Sequence, residues 1–160
     1  MHKGIFLLMS LIFLVSCDSQ RKYDTYVSLG EQGWLKDNFI NFEFDIQDTV
    51  SSNNLYINIR NNNEYPYSNL FLITEFEYPN GYYVIDTLEY EMTDKNGNWL
   101  GEGFTDLKSN KLSFKEGVVF PSKGLYKIKI EQAMRKRNEV SGIELLPGIT
   151  DVGFRIESKE

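Results

Sequence analysis

Cysteine and histidine are nearly absent from this sequence. Of 160 residues, one is cysteine, at position 17, and one is histidine, at position 2. A single cysteine cannot form a disulfide within the chain. If His2 is removed with an N-terminal leader, the mature chain also has no Ser-His pair, no Cys-His pair and no histidine to bind a metal ion. Most hydrolase mechanisms are thereby excluded.

The sequence also lacks a hydrophobic run long enough to span a bilayer. Its longest apolar stretch, Ile5 to Val15, has about a dozen residues, whereas a transmembrane helix needs roughly 20. Lys3 precedes this stretch and the small residue Ser16 follows it, which is the pattern of a secretory signal peptide. We therefore expect residues 1–16 to be a cleaved leader.

Cys17 lies where a lipid would be attached. Leu14-Val15-Ser16-Cys17 matches the bacterial lipobox, so that Cys17 would become the first mature residue and carry a thioether-linked diacylglycerol and an N-acyl chain. Two or more acyl chains hold a protein stably on a membrane. The alternative is an ordinary signal peptide with a coincidental cysteine. We expect an anchored protein, with residues 17–33 forming the lipidated N-terminus and a mobile polar tether.

Positive charge is in deficit, since the formal net charge is −6. This balance argues against nucleic acid, or an anionic lipid surface, as the main partner. No repeat, low-complexity tract or change of composition divides the rest of the chain. We expect a single domain over residues 34–160, large enough to bury a core without disulfides or metal.

Hydrophobic residues alternate with polar ones along most of this domain, which indicates strands with one solvated face. Runs rich in β-branched and aromatic residues follow the same rule. The predicted strands are Ile40–Ile46, Leu55–Arg60, Leu70–Glu77, Tyr83–Met92, Lys111–Lys115, Leu125–Gln132 and Val152–Glu157. With about eight short strands and no helical period, the sequence predicts an all-β, antiparallel β-sandwich, either immunoglobulin-like or jelly-roll-like.

Three short segments between these strands carry hairpin signals: Pro79-Asn80-Gly81, Asp94–Asn98 and Ser122-Lys123-Gly124. Asn-Gly and similar pairs tolerate the positive φ of a tight turn. The least regular segment, residues 133–150, is predicted to be a long connection before the last strand. Long ordered connections are often functional.

Acidic residues leave two chemical options open. One is a pair of carboxyl groups acting as in glycosidases, and the other is an oxygen-ligated calcium site. Asp94–Asn98 superficially resembles a calcium loop, but Gly103 stands where the bidentate Glu is expected, and a plain turn is the favoured interpretation. We expect no metal, no cofactor and no catalytic residue.

Two groups of residues are candidates for contact with a ligand or partner. Tyr65, Tyr67 and Trp99 lie at turns, where their rings would stack on a sugar or peptide, or else would cap the core. Arg135, Lys136 and Arg137 form a basic run on an acidic protein, which would meet an acidic surface, or else is a solvated loop.

Several segments recur, in this order, in the gliding-motility lipoprotein GldH family, which the chain resembles over nearly its whole length. These segments are Trp34-x-Lys36-Asp37, Arg60-Asn61-Asn62, Tyr65–Leu70, Asp86-Thr87-Leu88, Gly97–Gly103, Glu131–Arg135, Gly142-Ile143 and Asp151-Val152-Gly153. The resemblance implies a non-enzymatic membrane lipoprotein of the gliding apparatus, which operates alongside type IX secretion. It also implies other gliding or secretion components as partners.

The resemblance transfers Cys17 as the lipid-bearing residue and no active site. Lipoproteins of gliding Gram-negative bacteria that reach the cell surface usually carry an acidic cluster after this cysteine. Here Asp18 is followed by Arg21 and Lys22, so we expect a protein that faces the periplasm. Two other functions stay open: a glycan- or peptidoglycan-binding module using Tyr67, Tyr82 and Trp99, and a carboxylate glycosidase.

Overall fold

The computed structural model describes residues 19–159. Cys17 and the leader over residues 1–16 lie outside this range. The described residues form ten strands, and they contain no helix that is long and apolar enough to cross a membrane. The strands are β1 (Arg21–Ser28), β2 (Trp34–Leu35), β3 (Ile40–Ile46), β4 (Asn53–Asn61), β5 (Asn69–Glu77), β6 (Tyr83–Glu91), β7 (Lys108–Val118), β8 (Gly124–Gln132), β9 (Leu145–Leu146) and β10 (Ile149–Ser158).

The eight longer strands form two four-stranded sheets. Their orders are β1-β10-β4-β7 in sheet A and β3-β8-β5-β6 in sheet B, and β2 pairs separately with β9. Every pairing is antiparallel, and the partners are nested around the β5–β6 hairpin as β4·β7, β3·β8 and β1·β10. One long antiparallel ribbon is thus wound across both sheets, which is the arrangement of a jelly roll.

This architecture confirms the predicted all-β sandwich and decides between its two forms in favour of the jelly roll. All seven predicted strands are present, with ends that differ by a few residues. Pro79-Asn80-Gly81 joins β5 to β6 as a hairpin, with the Gly81 N–H donating to the Tyr78 carbonyl oxygen at 2.9 Å.

The other two hairpin predictions were wrong about what the turns connect. Asp94–Asn98 is a tight turn closed by a Thr93–Trp99 bridge, but it lies between β6 in sheet B and β7 in sheet A. Ser122-Lys123-Gly124 leads from β7 into β8, which are again in different sheets. Turn chemistry indicates where a chain reverses, and packing decides which sheet the next strand joins.

The tether prediction for residues 17–33 was wrong for Arg21–Ser28. These residues form β1, the edge strand of sheet A, and they pair with β10 from Glu157 to Asp151. Tyr23 faces inward and packs its ring 5.5 Å from that of Phe44 and 6.3 Å from that of Phe154. Backbone pairing and this ring contact outweigh the polar composition that favoured a mobile segment.

The core between the sheets is rich in aromatic side chains. Phe44 lies at its centre, with its ring centroid 5.4 Å from Phe154 and 5.9 Å from Tyr126. Trp34 is fully buried in the first long loop and donates its indole N–H to the Asn38 carbonyl oxygen at 2.8 Å. Burial of these large side chains is the main stabilising contribution.

The strand directions give the sandwich two different ends. At the proximal end, the chain enters at Ser19 and Gln20 beside the short loops 47–52, 78–82 and 119–123. At the distal end lie the longer connections 29–39, 62–68, 92–107 and 133–148. Most of the predicted contact residues therefore belong to the distal end: Tyr65, Tyr67, Trp99, Arg135, Lys136 and Arg137. Tyr82, which was named with Tyr67 and Trp99 for glycan binding, lies at the opposite, proximal end.

Candidate interaction groove at the distal end

Tyr65, Tyr67 and Trp99 form one aromatic cluster, although they come from two different loops. The ring of Tyr65 is 5.8 Å from that of Tyr67 and 6.2 Å from that of Trp99. Tyr65 is 3% exposed, and its hydroxyl donates to the Asn69 carbonyl oxygen at 2.6 Å. Burial raises the pKa of this hydroxyl above its ordinary value. Tyr65 is therefore a packing residue of the distal end.

The other two members of the cluster keep part of their surface in solvent. Trp99 and Tyr67 are half-buried, and the Trp99 indole N–H donates to the Asn63 side-chain oxygen at 3.3 Å. Through this bond Trp99 braces the β6–β7 connection against the β4–β5 loop. The arrangement matches the core-capping interpretation more closely than that of an open stacking platform.

Arg135, Lys136 and Arg137 lie on a small hairpin that projects from the end of β8. Arg135 bridges to Gly142, and the Ile143 N–H donates to the Met134 carbonyl oxygen at 2.8 Å. Asn138 turns the hairpin with a φ of 67°, a conformation that asparagine tolerates. The three basic side chains are exposed, and none forms an ion pair with another residue between 19 and 159.

Gln132 holds this hairpin in place. Its amide nitrogen donates to the Ile143 carbonyl oxygen at 2.6 Å, and its amide oxygen accepts the Met134 N–H at 3.0 Å. Gln132 is buried, so both bonds are shielded from water. The hairpin is thus fixed to β8 at its base and presents Arg135 in a defined position.

A groove of about 250 Å³ opens between this hairpin, the end of β8 and the segment after β2. We call it the distal groove. Its lining residues are Lys36, Asp37, Ile73, Glu131, Gln132, Ala133, Met134, Arg135, Val140, Ser141 and Gly142. A second hollow of about 310 Å³ adjoins it along the outer face of sheet B and shares Ile73, Ala133 and Arg135. Together they form a continuous ledge beside Arg135.

The distal groove combines apolar surface with charge. Val140 at its rim is 89% exposed, and Ile73 is half-buried on the outer face of β5. Lys36 lies 3.5 Å from the Glu144 carboxylate, whereas Arg135 forms no ion pair with another residue between 19 and 159. Such a surface suits a protein segment that carries an apolar side chain next to a carboxylate.

The sequence alone did not identify most of this groove. Arg135 was predicted, and the Trp34-x-Lys36-Asp37 motif contains Lys36 and Asp37 without showing that they lie near Arg135. Val140 was detectable as an apolar residue in a polar loop, and Ile73 as an apolar residue on the solvated side of a strand. Their proximity depends on the strand order.

Another groove, of about 570 Å³, lies on the outer face of sheet A, and its charged lining residues are Glu91, Glu102, Lys111 and Arg155. The two basic residues are paired with carboxylates beside the groove. Arg155 lies 2.8 Å from Asp24 and 2.6 Å from Glu157, and Lys111 also contacts Glu157 at 2.7 Å. Burial opposes ionisation of Glu157, but the hydrogen bonds from Lys111 and Arg155 outweigh it and lower its pKa. The carboxyl group that acts as the general acid of a glycosidase requires the opposite, a raised pKa.

The Asp94 turn uses its carboxylate internally. One oxygen accepts the N–H groups of Asn96 at 2.8 Å and Asn98 at 2.9 Å, and the other accepts the Asn98 side-chain amide at 2.9 Å. These bonds, led by the side chain of Asn98, lower the pKa of Asp94. Over residues 19–159, no group of three or more His, Cys, Asp or Glu is placed to hold a metal ion.

Comparison with known proteins gives matches over almost the whole chain. The profile of a family described as GldH lipoprotein matches residues 21–156. A gliding motility lipoprotein GldH homolog from Christiangramia forsetii is 54% identical over 96% of this chain and 93% of the relative. The gliding motility lipoprotein GldH of Flavobacterium johnsoniae is 48% identical over 99% of this chain and 98% of the relative.

Solved structures give only distant matches. A chain in the structure of infectious bursal disease virus, Gx strain, is 14% identical with a TM-score of 0.41, covering 89% of this chain and 33% of the viral one. This likeness is too low to indicate a shared fold.

Proposed function

The chain belongs to the GldH lipoprotein family, and from this premise we propose that it is a gliding-motility lipoprotein of the cell envelope that acts as a non-enzymatic assembly component. Lipid on Cys17 holds it to a membrane with its domain facing the periplasm. Its partners are other components of the gliding apparatus and of type IX secretion. The relatives' names support a gliding-motility lipoprotein, the lipobox supports lipid on Cys17, and the surface of the domain supports an assembly role.

The distal groove is the observation that carries the assembly role. Three of the segments on which the resemblance to the family rests line it: Lys36-Asp37, Glu131–Arg135 and Gly142. Lys36-Asp37 lies far in sequence from the other two, which belong to one hairpin, and it meets them only because β8 and the loop after β2 reach the same end of the sandwich. The groove also lies at the end opposite the point where the chain enters from Cys17, so a partner can reach it without the membrane in the way.

The charge networks support a binding rather than a catalytic role. Asp24 and Glu157 are neutralised by Arg155 and Lys111, and Asp94 is occupied by its own turn. By contrast, Arg135 has no ion-pair partner among residues 19–159, and it lines the same groove as the exposed Val140. Unpaired charge and exposed apolar surface in one place are typical of a recognition surface.

Site-specific crosslinking in gliding cells tests this proposal directly. A photoreactive residue at Val140 in the full lipidated protein is expected to capture a gliding or type IX secretion component, identified by mass spectrometry. The same residue at Thr25, which is exposed on β1, should not capture it. The product should be lost in the mislocalised Cys17→Ser protein.

Charge reversal at Arg135 gives a second test with a matched control on the same hairpin. Arg135→Glu is expected to abolish the Val140 crosslink and to reduce gliding strongly, because the groove loses its carboxylate-binding cation. Arg137→Glu changes the net charge equally, but Arg137 does not line the groove. This variant should therefore leave the Val140 crosslink and gliding nearly unchanged. Equal effects of the two variants would contradict a role for this groove.

The same crosslinking separates this proposal from glycan binding. Recovery of cell-wall material alone, together with peptidoglycan binding that is lost in Trp99→Ala, would favour a glycan-binding module. Tyr65 is buried and Trp99 braces two loops, so the geometry gives that alternative less support.

A further inference from the structure

The chain leaves the sandwich very close to the lipid-bearing residue. Gln20 is already fixed to the proximal end, because its carbonyl oxygen accepts the Ser158 N–H at 2.8 Å. Three residues of fully extended chain span at most about 10 Å, so Cys17 lies within that distance of Gln20. Acyl chains enter the hydrocarbon layer, which places Cys17 at the level of the lipid headgroups. The proximal end of the domain therefore has almost no tether to separate it from them.

Each of the three loops at this end carries one exposed apolar or aromatic side chain. Val50 in loop 47–52 is 84% exposed, Tyr82 in loop 78–82 is 63% exposed and Val119 in loop 119–123 is 49% exposed. Tyrosine is enriched at the boundary between lipid and water, where its ring and hydroxyl meet different environments.

Loop 47–52 is attached to the chain entry and to the end of β10. Lys22 lies 3.3 Å from Asp48, and the Lys159 N–H donates to the Ser52 carbonyl oxygen at 2.9 Å. Asp48 accepts the N–H groups of Val50 at 2.9 Å and Ser51 at 3.0 Å, which fixes the turn that presents Val50.

Loops 78–82 and 119–123 are joined through Tyr126, whose ring lies 5.6 Å from that of Tyr78 and whose hydroxyl donates to the Ser122 carbonyl oxygen at 2.8 Å. The end is a formed surface and not a set of unconnected loops.

The charge of this end differs from that of the whole protein. The chain is acidic overall, but loop 47–52 contributes one acidic residue, Asp48, and loop 119–123 contributes one basic residue, Lys123. Asp48 is paired with Lys22, and Arg21 and Lys159 are also near the chain entry. The charges of the three loops themselves, Asp48 and Lys123, cancel, so these loops are repelled less by anionic headgroups than the acidic chain as a whole is.

We propose that the proximal end rests directly on the headgroup layer of the leaflet that holds the Cys17 lipid, with Val50, Tyr82 and Val119 at the interface. This proposal depends on the lipid anchorage described above. The exposed apolar residues at the distal end, such as Val140 and Phe104, are then held away from the bilayer. The sandwich stands on the membrane, and the distal groove faces the compartment.

Spin labelling tests this orientation, because the acylated Cys17 has no free thiol and a single introduced cysteine is the only labelling site. Val50→Cys, Tyr82→Cys and Val119→Cys are made in the full lipidated protein, with Val140→Cys and Phe104→Cys as exposed distal controls. Each is labelled with a nitroxide in detergent and reconstituted into vesicles of phosphatidylethanolamine and phosphatidylglycerol. Collision with a water-soluble nickel reagent and with oxygen is then measured.

The proximal labels are expected to lose most of their collisions with nickel and to gain collisions with oxygen on reconstitution. The distal labels should change little. A label at Thr25→Cys separates an upright domain from one lying on its β1 edge, and protection there instead of at Val50 would overturn the proposal. Proximal labels as accessible as the distal ones would overturn it as well.

Co-flotation of the protein with the vesicles reports the anchorage separately. If the protein floats and the proximal labels stay accessible, lipid anchorage stands and the docking of this end is wrong. If the full lipidated protein does not float, both the anchorage and the orientation are overturned. Cys17→Ser is the control that should not float in either case.

Discussion

At the scale of single residues, Gly148 and Gly81 have nearly the same backbone conformation in very different surroundings. Their φ angles are 78° and 81°. A Cβ atom added at Gly148 would lie 2.1 Å from the Tyr65 backbone nitrogen, whereas one added at Gly81 meets nothing within 4 Å. Glycine at 81 is needed for its φ alone, and glycine at 148 also lets the last loop pack against the aromatic cluster.

Alanine at these two positions separates the two effects. Gly81→Ala is expected to lower the free energy of unfolding by about 1 kcal/mol, the cost of a left-handed conformation for a residue with a Cβ atom. Gly148→Ala should lower it by about 3 kcal/mol or more, because overpacking against rigid backbone is added. Urea unfolding followed by the fluorescence of Trp34 and Trp99 measures both. Equal losses would show that the Tyr65 contact is easily relieved.

Glu157 predicts a pH dependence of stability with a definite sign. Its pKa in the folded protein lies below its ordinary value of 4.5, so protonation favours the unfolded chain. The stabilisation is complete above about pH 4.5 and is lost as the pH falls through the folded-state pKa. Glu157→Gln should cost about 1–3 kcal/mol at neutral pH, since it weakens charge-assisted hydrogen bonds to Lys111 and Arg155.

The informative measurement is the difference in unfolding free energy between wild type and Glu157→Gln across pH. It should shrink as the solution becomes more acidic. Asp48 and Asp94 also have lowered pKa values, but they are present in both proteins and cancel in the difference. A difference that stays constant with pH would mean that Glu157 contributes through packing rather than charge.

At the scale of elements, period-two alternation located strands whose two faces differ in polarity, such as β3 and β5. This alternation did not reveal β1, and its residues 21–28 were predicted to belong to a polar tether. Only one side of that edge strand meets the core, and polar residues such as Asp24 face the charged network on sheet A. The sheet to which each strand belongs could not be predicted, because turn residues fix the reversal and not the packing partner.

A substitution in β1 tests whether this strand is part of the folded domain. Tyr23→Ala should lower the free energy of unfolding by about 2 kcal/mol, because a half-buried ring leaves its contacts with Phe44 and Phe154. Thr25→Ala in the same strand is exposed and should cost about 0.5 kcal/mol or less. If residues 21–28 were a free tether, neither variant would change stability.

At the scale of the whole molecule, the jelly roll separates the lipid attachment from the distal groove. The lipobox predicts lipid on Cys17, and the basic run containing Arg135 was visible in the sequence. The sequence does not show that these two features lie at opposite ends of the domain, because this depends on the strand directions that the nested pairs impose. A strand of nine residues is about 30 Å long, so the proposed docking of the proximal end would hold the groove roughly that far above the leaflet.

Lengthening the connection to the lipid tests whether this fixed height matters. A flexible Gly/Ser insertion of about 20 residues between Asp18 and Ser19 adds a typical span of about 25 Å and leaves the domain sequence unchanged. The protein should still float with vesicles, but a label at Val50 should regain its collisions with nickel. Gliding and the Val140 crosslink should both fall, because a partner fixed in the same envelope no longer meets the groove at a defined height.

An equal insertion between Lys95 and Asn96 is the matched control. It lies in an exposed distal turn that does not line the groove and does not alter the distance from Cys17 to Gln20. Near-normal gliding with this variant, beside impaired gliding with the first, would assign the defect to the height and orientation of the domain. Unimpaired gliding with the long connection would mean that the lipid serves only to retain the protein at the membrane, and that the partner binds the groove wherever the domain happens to lie.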